Sequence, residues 1–80
     1  MKVRLLFFAH YRDLAGHDEI ELELPSGSTA RAAVERLRAN PRLVSLPTEP
    51  AIAVNRTYAS LNDALSDGDE VALIPPVAGG

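Results

Sequence analysis

The sequence predicts an α+β domain in which a mixed sheet of about five short strands packs on one main helix. Three observations predict it. Residues 19–24 alternate strictly, setting Ile20, Leu22 and Leu24 against Glu19, Glu21 and Glu23, which marks a strand with one dry and one wet face. Residues 30–38 change period: Ala30, Ala33, Val34 and Leu37 fall at i, i+3, i+4 and i+7 and form one helical stripe, leaving Arg31, Glu35, Arg36 and Arg38 on the wet side. Short apolar runs bounded by turn residues flank that stripe, so the order reads strand, strand, helix, strand, strand, strand.

Residues 2–9 form the first strand, with Val3, Leu5 and Phe7 on one face and Arg4, Leu6 and Phe8 on the other; both faces become apolar towards its end. Residues 10–18 predict a single helical turn closed by Gly16. After the alternating strand, Pro25-Ser26-Gly27-Ser28 is a turn, and Ser28 or Thr29 caps a helix that runs to about Ala39 and is stopped by Asn40-Pro41. Arg36, Arg38 and Arg42 set positive charge near the helix C-terminus, complementing its dipole. Residues 41–50 carry Pro41, Pro47 and Pro50 and predict a loop pinned by Leu43, Val44 and Leu46. Residues 51–54 are a short apolar strand, Asn55-Arg56 its turn and residues 57–59 its return. Residues 62–65 form a brief turn, and Ser66-Asp67-Gly68-Asp69 another, leading into the last strand at residues 70–74.

With 80 residues the chain holds one domain, near the lower limit at which a single core suffices. Residues 1–76 are expected to form the β-domain and residues 77–80 an extended arm. No apolar run approaches the roughly 20 residues that span a bilayer, and Met1-Lys2-Val3-Arg4 leads straight into a strand without a secretory signal, so no membrane partner and a cytoplasmic location are expected. The absence of cysteine excludes disulfides, a thiolate nucleophile and sulfur-ligated metal. A net charge of -3 argues against a nucleic-acid partner. His10 and His17 lack ligand spacing, and Asp67-Gly68-Asp69-Glu70 lacks the oxygen-ligand repeat of a calcium loop, so no metal is expected. The basic residues are arginines except Lys2, a bias that fits GC-rich coding and would also limit self-acylation if the C-terminus is activated.

The chemistry points to the end of the sequence. Pro75-Pro76 fix φ and hold their neighbours extended, and Val77-Ala78-Gly79-Gly80 is thin enough to thread a channel or lie against another backbone. From Val77 onward the arm reaches roughly 13 to 14 Å, so a carboxylate on Gly80 can enter a partner's pocket while the body stays outside. One helix covers one face of a small sheet. If Val3, Leu5 and Phe7 face that helix, Leu6 and Phe8 emerge opposite, and Tyr58 and Ile74 join them as an apolar patch beside the root of the arm, where Pro75 and Pro76 complete a partner interface.

Five segments in order resemble the ubiquitin-like sulfur carriers, and within them the molybdopterin synthase small subunits. They are Leu6-Phe7-Phe8-Ala9 followed by Arg12-Asp13-Leu14-Ala15-Gly16; Ala53-Val54-Asn55; Leu65-Ser66-Asp67-Gly68-Asp69-Glu70-Val71-Ala72; and Ile74-Pro75-Pro76-Val77-Ala78-Gly79-Gly80. Family members often carry Ser or Thr where this chain has Ala78. The resemblance implies a ubiquitin-like β-grasp fold and a carrier cycle centred on Gly80. An E1-like adenylyltransferase using ATP and magnesium would activate the Gly80 carboxylate. A sulfur donor such as a cysteine desulfurase or rhodanese-like protein would convert it to a thiocarboxylate. The tail would then deliver sulfur to cyclic pyranopterin monophosphate in the large synthase subunit, within a heterotetramer of two small and two large subunits. The carrier itself would bind no cofactor and supply no catalytic side chain. Other readings of the tail are a sulfur carrier for thiazole or amino-acid biosynthesis, a protein modifier forming isopeptide bonds, and a β-grasp binding module without tail chemistry.

Overall fold

The computed structural model describes residues 1–76. Five strands, β1 (Lys2–Phe7), β2 (Glu19–Glu23), β3 (Ala51–Val54), β4 (Thr57–Ala59) and β5 (Glu70–Ile74), form one sheet in the order β2-β1-β5-β3-β4. β1 and β5 are parallel and every other pair is antiparallel, so the sheet is mixed, and the last strand in sequence lies at its centre. Helix α2 (Ala30–Arg38) lies in the crossover from β2 to β3, and the short α1 (Ala9–Ala15) links β1 to β2. This is the ubiquitin-like β-grasp arrangement, α+β with a mixed five-stranded sheet.

The periodicities explain the core. Ala30, Ala33, Val34 and Leu37 on α2 are buried, as are Val3, Leu5 and Phe7 on β1, Ile52 on β3 and Val71 and Leu73 on β5. Val3 pairs with Leu22 and Leu5 with Ile20, so the apolar residues of β2 share that face, although on an edge strand they remain half-buried. Thr29 is the residue that caps α2: its hydroxyl accepts from the Ala32 N–H at 3.3 Å, whereas the Ser28 hydroxyl donates to the Pro25 carbonyl at 2.7 Å.

Four local expectations need correction. β1 ends at Phe7, not at residue 9, because Ala9 takes φ 47 and turns the chain out of the sheet. The Phe8 carbonyl then accepts from the Tyr11 and Arg12 N–H groups, and the segment forms seven residues of α-helix instead of a single turn. Tyr11 and Ala15, one helical turn apart, are buried. Gly16 does close this helix: at φ 74 its N–H donates to the Arg12 carbonyl at 2.9 Å, and a Cβ there would lie 2.8 Å from Nη2 of Arg42.

Residues 41–50 contain a 3-10 helix, Pro41–Leu43, capped by the Asn40 side chain, which accepts from the Arg42 N–H at 2.9 Å. Leu43, the last residue of that helix, and Leu46, in the turn three residues on, are buried, while Val44 between them is 56% exposed; Val44 is therefore no pin. Finally, Arg31 and Arg38 are half-buried instead of solvated. Arg38 donates through Nε to the Leu46 carbonyl at 2.8 Å and through Nη2 to the Val44 carbonyl at 3.2 Å, and Arg31 binds Glu49 at 3.0 Å. Both guanidinium groups fasten loops to α2.

Candidate functional site

The sheet face away from α2 has two distinct ends. Strand register places Leu6, Ala72, Ala53 and Tyr58 in one row across four strands, with Ile74 and Ala51 in the adjoining row. At the opposite end, Arg4 binds Glu70 at 3.0 Å and Glu19 at 3.5 Å, and Lys2 lies 4.0 Å from Glu21. The apolar end is the one from which the chain leaves β5 at Ile74. Phe8 sits one residue beyond the paired Phe7 and Leu73, still extended at φ -125, ψ 152, and alternation puts its ring on the side of Leu6.

Ile74 and Pro75 are half-buried and Pro76 is exposed. Together with Tyr58, Pro50, Ala51 and Tyr11 they line an open cleft of about 370 Å³. Phe8 does not line it; it stands beyond, 48% exposed, and Tyr58 is 78% exposed. Two large aromatic side chains left in water on one sheet face, next to a cleft walled by prolines, suit a protein partner. Val77, Ala78, Gly79 and Gly80 lie outside the described residues.

The described side chains offer a binding surface and little chemistry. Among the described residues no charged side chain is buried and Tyr11 alone brings a titratable group into the core, and no group of three His, Cys, Asp or Glu could hold a metal ion. Tyr11 is the one buried phenol; desolvation pushes its pKa above the usual value, so it stays neutral and is no base at neutral pH. His10 and His17 are exposed. No helix among the described residues is long and apolar enough to cross a membrane.

Asn55 does more than make the hairpin turn that its position suggests. Its Nδ2 donates to Oδ1 of Asp69 at 3.0 Å, its Oδ1 accepts from the Glu70 N–H at 3.0 Å, and its own N–H donates to the Glu70 carbonyl at 2.8 Å. The other Asp69 oxygen accepts from the Ser66 N–H at 2.7 Å. Two segments separated in sequence thus meet at the start of β5 and fix the strand that carries the root of the arm. An asparagine able to sit at φ 51 was the visible signal; its long-range partner was not.

Phe8→Asp and Tyr58→Asp are each expected to leave the melting temperature within a few degrees, because both side chains are already in water, and to weaken partner binding by about 10-fold or more. Titration calorimetry against the partner checks this. Unchanged affinity for both variants would remove the face from the interface.

A mixed five-stranded sheet with its last strand at the centre, one main helix on one face and exposed apolar side chains at the end where β5 leaves the sheet define a ubiquitin-like β-grasp domain. The chain belongs to the ThiS family, whose model matches residues 5–80. It is 40% identical over 83 aligned residues to the molybdopterin synthase sulfur carrier subunit of Chlamydomonas reinhardtii, with all of both chains covered. Among solved structures it is similar to SAMP1 of Haloferax volcanii, with a TM-score of 0.87, 29% identity and all of both chains covered. It is also similar to a chain of the complex of subunits 1 and 2 of the molybdopterin-converting factor of Helicobacter pylori, with a TM-score of 0.73, 27% identity and all of both chains covered.

Proposed function

We propose that this chain is the sulfur-carrier subunit of a molybdopterin synthase. The observation that carries the proposal is the full-length likeness to a protein of that name, with the proline arm and the apolar face of the sheet on one end of the domain. The Gly80 carboxylate is the working group. A carboxylate resists substitution until its oxygen becomes a good leaving group, and adenylation by an E1-like enzyme, consuming ATP with magnesium, supplies that. A sulfur donor, a cysteine desulfurase or rhodanese-like protein, then converts the acyl group to a thiocarboxylate. The sulfur of that group is a nucleophile towards cyclic pyranopterin monophosphate, and two deliveries build the dithiolene of molybdopterin.

Each segment has its place in this cycle. Phe8, Tyr58, Ile74, Pro75 and Pro76 seat the domain on its partners. Val77, Ala78 and Gly79 thread the channel, and Gly80 presents the reacting carbon without a side chain beside it. The catalytic pocket belongs to the large subunit, with two carriers at the ends of a large-subunit dimer; the Helicobacter pylori structure, which holds subunits 1 and 2 together, supports such a partner. The chain holds no cofactor of its own. A cytoplasmic location belongs to this reading, where ATP is at hand for loading.

Intact mass spectrometry tests the proposal. Incubation with the activating enzyme, ATP and a sulfur donor is expected to replace one oxygen by sulfur at Gly80, and the gain should vanish when large subunit and pterin precursor are added. Loading without delivery to that precursor would assign the chain to another sulfur pathway, such as thiazole or amino-acid biosynthesis. The likeness to SAMP1, a small archaeal modifier protein of Haloferax volcanii, favours a second reading as a protein modifier, which isopeptide conjugates to other proteins in cell extract would support.

A further inference from the structure

Resting on the reading of this chain as a carrier that docks on a large subunit, we infer that the cleft beside Ile74 is a specificity pocket for one arginine side chain of that subunit, with the Tyr11 hydroxyl as its inner polar contact. Tyr11 is 4% exposed, yet it lines the cleft. Its hydroxyl makes no hydrogen bond to a described residue, and among the described residues no side-chain oxygen is both sealed from solvent and unpaired, so that hydroxyl opens onto the cleft. A phenol buried to this degree and left without a protein partner calls for one from outside, because sealing the cleft would otherwise strand it. It stays neutral at neutral pH, so its oxygen is able to accept.

Charge selects the occupant. Among the described residues no basic side chain lines the cleft, and Glu49 gives it a carboxylate. Arg31 holds Oε1 of Glu49 at 3.0 Å, while Oε2 accepts no hydrogen bond from a described residue. Tyr58 adds an aromatic face standing in water, and Pro47 and Pro50 add apolar wall. An arginine meets all of these at once. Its guanidinium plane stacks on an aromatic ring, its fork of N–H groups donates to a phenolic and a carboxylate oxygen, and its methylene stem lies along the prolines. A lysine has no plane to stack, and an apolar side chain would bury the Tyr11 hydroxyl unpaired. The net charge of -3 on this chain also favours a partner surface that brings positive charge.

The experiment is titration calorimetry of the full-length carrier against the large subunit, joined to arginine modification of the complex by phenylglyoxal and peptide mapping. Tyr11→Phe removes one oxygen and keeps the ring; it is expected to weaken binding by about 10-fold while the melting temperature stays within a few degrees. Glu49→Gln is expected to weaken binding at low salt and to flatten the fall of affinity with salt. One arginine of the large subunit should be protected by the wild-type carrier and modified when the double variant Tyr11→Phe/Glu49→Gln is bound at saturation. Equal affinity of Tyr11→Phe, or no arginine whose protection depends on these two residues, would overturn the inference while leaving the carrier reading intact. Tyr11 ring signals that shift with concentration of the carrier alone, or on truncation after Pro76, would place a second copy or the chain's own end in the cleft and overturn it likewise. A wild-type carrier that does not bind the large subunit would overturn both.

Discussion

Leu73→Ala is expected to lower the melting temperature by at least about 10 °C, because truncating a buried leucine costs about 2–5 kcal/mol and each kcal/mol shifts a domain of this size by about 4–8 °C. Leu73 is completely buried and stands on the central strand, paired with Phe7 on one side and Ile52 on the other. Both of those neighbours are themselves held in place by the sheet, so the cavity cannot collapse by moving one free side chain. A chain of 80 residues has only about 4–12 kcal/mol of total stability to lose, so the substitution removes a large fraction of it. Thermal and urea unfolding followed by circular dichroism check the value. A shift of only a few degrees would mean that α2 settles onto the sheet and refills the space.

The consequence reaches the functional end, since β5 carries both Leu73 and Ile74. Destabilising the inner face of that strand loosens the outer face and the root of the arm with it. For that reason Leu73→Ala is also a control: a partner-binding loss caused by disorder of β5 should be accompanied by the drop in melting temperature, whereas the loss expected for Phe8→Asp or Tyr58→Asp should not.

Most of this architecture was legible because it depends on periods. Alternation in residues 19–24 and the helical stripe from Ala30 to Leu37 each select one element, and the inward set Val3, Leu5 and Phe7 decides which face α2 covers. The same parity foretold that Leu6, Tyr58 and Ile74 would emerge on the opposite face, since in a sheet the side of one residue fixes the side of those aligned with it. What escaped was non-periodic. No propensity marks Ala9 as the residue that takes φ 47, and the extra turn of α1 is stabilised by burying Tyr11 and Ala15, a tertiary effect. The ties made by Asn55 and Arg38 escaped for the same reason, because each depends on a carbonyl or carboxylate brought near only by the completed fold.

Gly79→Val is expected to leave folding unchanged and to reduce sulfur delivery by about 100-fold or more, the size of loss that follows when a reacting group is held about 1 Å from its productive position. Valine adds a branched side chain to a segment proposed to thread a channel, and its Cβ closes backbone angles that glycine can adopt. Residue 79 follows the last described residue by three positions, and the core of the described domain is built from residues between Val3 and Leu73, so unfolding curves of the two proteins are expected to superimpose. Loading and delivery can be separated by supplying both proteins as preformed thiocarboxylates, which bypasses the activating enzyme, and measuring turnover with the large subunit. A loss that persists with preformed thiocarboxylate places the steric conflict in the large subunit's channel. A loss that disappears places it in the activating enzyme. Full turnover from both starting points would mean that neither partner grips the tail closely, and the selection of a bare Gly-Gly sequence would then need a different physical cause.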